Sequence, residues 1–120
     1  MPKVGDTIPR GSIVLVPFPF TDLSAIKVRP ALVVSCENIG KADLVVMFIS
    51  SVITKSKNES DILLDVADAD FKHTGLKRAS LIKCRKIATL DRSIVLGELG
   101  VLAPRIMKRV DTFLQKILGV

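Results

Sequence analysis

A proline that follows an arginine at the head of an apolar run restricts this chain more than any other feature. In the stretch IKVRPALVVSC, residues 26–36, Pro30 has no backbone N–H. It is tolerated only at a strand start or on a sheet edge. It also confines the preceding Arg29 to extended geometry. The nearly all-apolar residues behind it predict a strand over Ala31–Cys36. Arg29 is therefore expected at a stiff point where a loop meets the core. An arginine held that way is either a phosphate clamp or an ordinary surface charge, and its neighbours alone do not decide which.

The other apolar runs before the C-terminal segment are short and bounded by turn residues. Gly11–Phe20 (GSIVLVPFPF) reads as the first strand, with Ile13–Val16 unbroken and mostly β-branched, as in a strand buried on both faces. Pro17 and Pro19 then end its pairing. Residues 21–27 form a loop of turn-prone residues. Leu44–Ile49 is a third strand ending at Ser50-Ser51. The polar, lysine-bearing residues 52–60 form a connector, and Asp61–Val66 a fourth strand. Residues 67–77 read as one helical turn stopped by Gly75. Ala79–Cys84 and Ile87–Leu90 read as two short strands or one bulged strand. A turn at Asp91-Arg92, a short strand over Ser93–Leu96 and an extended link with two glycines follow.

Only the end of the chain carries helical periodicity. In PRIMKRVDTFLQKIL, Ile106, Met107, Val110, Phe113, Leu114, Ile117 and Leu118 recur at steps of three and four. Pro104 suits the first turn and Gly119 the stop. The expected architecture is five to seven short strands followed by one helix, in a single domain spanning residues 1–120.

Composition narrows the functional classes. Eighteen Lys and Arg face 12 Asp and Glu, a net charge of +6, which is compatible with a polyanionic partner or with solubility alone. Cys36 and Cys84 are the only cysteines, and each lies in a mostly apolar run, as a small hydrophobe would. With one histidine and no Cys-x-x-Cys, no metal set is expected, and no cofactor is called for. The first residues, MPKVGDTIPRG, contain no apolar core of a signal peptide, and no run reaches the ~18 apolar residues of a membrane span. The expectation is a cytoplasmic, reduced protein without membrane contact.

Read in order, GSIVLVPFPFTD, KVRPALVVS, VMFISSVI, TGLKRASLIKCRKIATLD and the amphipathic C-terminal helix resemble the MazF/PemK family of toxin endoribonucleases, over roughly Arg10 to Leu118. The most specific pieces are VRPALVV and SLIKCRKIATLD. The resemblance implies a mainly β fold, a small SH3-like β-barrel with a C-terminal amphipathic helix. It also implies a homodimer, single-stranded RNA as substrate, and a cognate antitoxin protein as partner. Matched residue by residue, the family's cleavage arginine falls on Arg29, and its hydroxyl residue at the end of the third strand falls on Ser50. Where some members have Arg-x-Asp, this chain has Lys83-Cys84-Arg85, so the cation is kept and the carboxylate is replaced. The first loop is also shorter than in many members and lacks the histidine that some of them use there.

Such a family member cleaves RNA without a metal by ribose 2′-OH attack on the adjacent phosphate, giving a 2′,3′-cyclic phosphate and a 5′-OH. Arg29 offers a planar fork for two phosphate oxygens. Ser50 offers a hydroxyl, or Ser51 does if the strand slips by one residue; otherwise the pair simply ends a strand. Lys27, Lys55, Lys57, Lys77, Lys83 and Arg85 are the candidate RNA-binding cations, provided that the fold gathers them near Arg29; the alternative is a solvated charged face. His73, the sole histidine, reads as an exposed loop residue before it reads as a base. Phe18 and Phe20 are candidate base-stacking groups or core residues. Two other functions compete: a gyrase poison of the CcdB type, acting through the helix tip, and a catalytically inactive RNA- or protein-binding module.

Overall fold

A computed structural model describes residues 7–18, 27–36, 42–53 and 59–120. Six strands form one antiparallel sheet: β1 (Ser12–Phe18), β2 (Lys27–Val33), β3 (Asp43–Ser50), β4 (Asp61–Leu64), β5 (Ser80–Asp91) and β6 (Gly97–Val101). Their order across the sheet is β4-β5-β3-β2-β1-β6, and the sheet curls into a half-barrel. One helix, α1 (Pro104–Leu118), follows. The mainly β expectation with a C-terminal helix is met.

Period-2 alternation sends each strand's apolar residues to two faces. Ile13, Leu32, Met47, Ile49, Ile62 and Ile82 face one buried cluster, which α1 covers with Ile106, Met107 and Val110. Val14, Val16, Ala31, Val33, Leu44 and Val46 face a second cluster, closed by Ile8, Leu90 and Val95. The unbroken run in β1 is thus explained by burial on both faces. Each of the three buried helix residues contributes about 1.5–3 kcal/mol relative to exposure, which fastens α1 to the sheet. Arg10 adds a clamp: its Nε donates to the Val34 carbonyl at 2.8 Å, and its guanidinium pairs with Asp111 of the helix. Pro104 opens α1, and Gly119 closes it with φ 72°. Leu118, counted on the apolar face from its spacing, is instead exposed at the free end.

Several boundaries differ from those read in the sequence. β2 begins at Lys27 and ends at Val33, not Ala31–Cys36. Pro30 is accommodated inside it because β3 pairs with β2 only from Ala31 onward, which leaves Lys27–Pro30 as an edge on that side. Ser93–Leu96 is not a strand. Asp91 accepts a hydrogen bond from the Ser93 N–H at 2.9 Å and winds Arg92–Ile94 into a single 3-10 turn. The glycine-bearing link is β6, paired with β1. Its Gly100 is needed for close approach: a Cβ there would lie 2.2 Å from the His73 carbonyl oxygen. That contact seats the 3-10 turn Phe71–Thr74, which ends at Gly75 in the left-handed region, as expected from the sequence. Of the two readings for the late strands, the single bulged one holds.

Candidate active site

Two departures from regular pairing open a groove on the sheet. The first is the splay between β2 and β3. Their ladder runs Val33↔Val46, Leu32↔Met47, Ala31↔Phe48 and then stops. Continuing that register two residues would set Arg29 opposite Ser50. Since the strands separate there, both side chains border a gap. Arg29 stays extended because Pro30 follows it and because β1 still pairs with it, through Val16. The second departure is the bulge in β5. Met47 pairs with Ile87, but the next residue, Phe48, pairs with Lys83. Cys84, Arg85 and Lys86 therefore have no register partner on β3, and the β4 ladder also ends at Lys83. A bulge of this kind re-aims side chains: Cys84 turns inward and is fully buried, while Arg85 and Lys86 are both exposed, which strict alternation would forbid.

The result is a groove of about 640 Å³ whose wall carries Arg29, Ser50, Ser51, Lys83, Arg85 and Lys86, with Phe48, Ile87 and Pro30 as apolar floor. Four cations converge on two hydroxyls. Among the described residues no histidine, aspartate or glutamate lines it. The Ser50 hydroxyl accepts from the Val52 N–H at 3.1 Å, which holds it at the strand end with its own proton available to donate. Both serines line the groove, so the choice between them is one of position within it. Phe48 presents a half-buried ring, an aromatic group that sequence reading placed only as a strand residue.

One carboxylate stands directly behind the groove. Asp61 faces Lys83 across the β4–β5 ladder, and the Lys83 ammonium lies 2.9 Å from Asp61 Oδ2. The Asp61 side chain is only 2% exposed and that of Lys83 23%. β5 itself carries Arg85 at this point, and the carboxylate beside Lys83 comes from the neighbouring strand. Nothing in the local sequence signals this, because 22 residues separate the pair and only the register joins them. Burial, and after it the nearby Asp61 carboxylate, pushes the Cys84 thiol up to about 11. Among the described residues no three His, Cys, Asp or Glu side chains are grouped as a metal set.

Of the candidate cations, Lys83 and Arg85 join Arg29 and Ser50 in the groove, and their neighbour Lys86 lines it as well. Lys27 is exposed at the head of β2, two residues from Arg29 but outside the groove lining. Lys77 is exposed beyond the 3-10 turn and does not line the groove either; the curl of the sheet carries that turn toward β6. Lys55 and Lys57 lie outside the described residues, as do Phe20 and the Phe18 side chain. His73 is exposed on the turn that packs against Gly100 and has no place in the groove. Asp68 and Asp70 are paired with Arg105 of the helix, away from the groove cations.

The fold has known counterparts. The MazE–MazF structure from Deinococcus radiodurans is similar with a TM-score of 0.74 at 19% identity, covering 95% of this chain and 98% of that one. An endoribonuclease from a mycobacterial species gives a TM-score of 0.70 at 21% identity, covering 98% and 97%. An endoribonuclease in complex with its cognate antitoxin, also mycobacterial, gives 0.70 at 19% identity, covering 97% of each chain. No protein with a curated description matches by sequence. A sequence model of the PemK-like, MazF-like toxins of type II toxin–antitoxin systems matches residues 9–118, so nearly the whole chain is accounted for, and the chain belongs to that family.

Proposed function

We propose that this toxin is an endoribonuclease that cleaves single-stranded RNA in the Arg29 groove without a metal ion. The observation that carries this reading is the convergence of Arg29, Ser50, Lys83 and Arg85, from three different strands, on one concave surface. The ribose 2′-OH attacks the adjacent phosphorus and gives up its proton. The 5′-oxygen leaves and takes up a proton, producing a 2′,3′-cyclic phosphate and a 5′-OH. Arg29 binds two non-bridging oxygens and stabilises the charge that grows on the phosphorane. Ser50 donates to the same phosphate and fixes its place, and Lys83, Arg85 and Lys86 add positive potential along the strand. Phe48 offers a ring face to a base. Charge stabilisation and in-line positioning carry the rate. As in the relatives solved with MazE or a cognate antitoxin, the chain takes an antitoxin protein as partner. It forms a homodimer, for which Val28, Val52 and Ile53 offer exposed apolar surface.

The test is incubation with single-stranded RNA in EDTA, followed by mapping of new 5′-OH ends. The wild type produces such ends, and Arg29→Ala, which replaces an exposed side chain, keeps the fold and abolishes them. A folded Arg29→Ala variant that cuts like the parent would overturn the assignment. Absence of cleavage together with inhibited DNA supercoiling would replace it with gyrase poisoning.

A further inference from the structure

The reaction groove does not end at the β5 bulge. Arg85 lines it, and also lines two further concavities. One, of about 250 Å³, lies between Asp61, Lys83, Arg85 and Lys86. The other, of about 470 Å³, lies where the approach to β4 meets the end of α1, and is bounded by Glu59, Ser60, Arg85, Phe113, Lys116 and Ile117. These surfaces share residues in sequence: Lys83 and Lys86 join the first to the second, and Arg85 joins all three. Among the described residues the path carries Arg29, Lys83, Arg85, Lys86 and Lys116 against Asp61 and Glu59; Lys83 and Asp61 offset each other, which leaves four cations against Glu59. The far concavity has the parts of a nucleotide site. Arg85 and Lys116 are exposed cations for a phosphate, Ser60 is a hydroxyl, and the half-buried Phe113 and Ile117 form an apolar wall for a base. Its volume lies within the range of about 300–1,000 Å³ typical of small-ligand pockets.

We infer that this concavity is a second nucleotide subsite, which takes the RNA strand after it has turned across Arg85 out of the reaction groove. The inference rests on the endoribonuclease reading and extends it: the residues at the end of α1 contribute affinity for longer substrates, outside the reacting step. A chain of phosphates suits the path because its cations are spread along it, whereas a compact anion would engage only one or two of them.

The test compares binding of two 2′-O-methyl oligoribonucleotides, which cannot be cleaved. One is just long enough for the reaction groove, and the other is extended at both ends. Lys116→Ala and Phe113→Leu are expected to weaken the long oligonucleotide several-fold more than the short one, and Lys116→Ala to lower the salt slope of the long one by about 0.7. Lys108→Ala removes the same charge from α1 at a distance from the path, beside Arg10 and Asp111, and serves as the control for net charge. A ratio of long to short affinity that stays at the wild-type value in both variants would overturn the subsite. So would a Lys108→Ala shift equal to that of Lys116→Ala. A Lys116→Ala variant that loses polyglutamate binding but keeps the long RNA would overturn it in favour of an acidic peptide. A wild type that fails to cut the 2′-hydroxyl form of the short oligonucleotide refutes the nuclease reading itself, separately from the length comparison.

Discussion

Replacing Lys83 by methionine separates the structural role of the groove lysine from its charge. The substitution keeps an unbranched apolar stem and removes an ammonium 2.9 Å from Asp61 Oδ2. In the parent the Asp61 side chain is 2% exposed, so the substitution takes one favourable charge away from a buried carboxylate. Breaking a buried ion pair from one side costs about 3–5 kcal/mol. Lys83 is 23% exposed, so water partly fills the gap, and the expected loss drops to about 2–4 kcal/mol. Asp61→Asn makes the opposite cut. Its amide oxygen still accepts from the ammonium, and the lysine can turn its head toward the groove, so the loss is only about 1–2 kcal/mol. For 120 residues the unfolding entropy is about 0.25 kcal/mol per kelvin, which makes Lys83→Met melt about 8–16 °C below the parent. Denaturant titration of the parent, both single variants and the double variant gives the coupling, expected at about 1–3 kcal/mol. A Lys83→Met variant within about 0.5 kcal/mol of the parent, or an Asp61→Asn variant that costs more than Lys83→Met, would refute the reasoning.

Three further outcomes follow from other parts of the fold. Gly100→Ala sets a Cβ 2.2 Å from the His73 carbonyl oxygen and 2.6 Å from the Thr74 carbonyl carbon, backbone atoms that cannot swing aside; about 2–4 kcal/mol is expected in denaturant titration, whereas Gly119→Ala, with nothing within 4 Å, costs only about 1 kcal/mol for its left-handed backbone. A thiol reagent should label the exposed Cys36 quickly and reach Cys84 only on unfolding; because the folded Cys84 thiol is pushed up to about 11 from 9.0, stability should fall as pH rises through that interval, and Cys84→Ala should flatten this part of the curve. The Arg105 guanidinium holds the Asp68 carboxyl below its ordinary 3.8, so their contribution is present above that pH and is lost as pH falls through the lower folded value; Arg105→Met should remove this part of the acid limb in a pH series of melting temperatures.

Much of the fold was legible locally. The unbroken β-branched run of Ile13–Val16 carried its burial on both faces, and the three-and-four spacing after Pro104 carried the helix almost to the residue. β6 was missed because its two glycines lower strand propensity; the ladder with β1 and the close approach of Gly100 to the 3-10 turn outweigh that preference. Arg29 and Ser50 came from the resemblance to the MazF/PemK family, and the groove brings both together. Lys77 went astray because nearness to other cations in sequence is no guide to which side of a curled sheet a turn lies on. Asp61 was read only as the first residue of a strand, since its partner is 22 residues away.

By itself the sequence determined which segments extend and which coil, because side-chain branching, apolar period and the punctuation by proline and glycine act within a few residues. It also determined that an arginine would be held extended before Pro30. Only the tertiary structure decided what that arginine faces. The β2–β3 ladder stops at Ala31↔Phe48, and the β5 bulge releases Arg85 and Lys86 from alternation; these two register breaks open the groove. Register is set by cross-strand packing between segments distant in the chain, and no local pattern encodes where it fails.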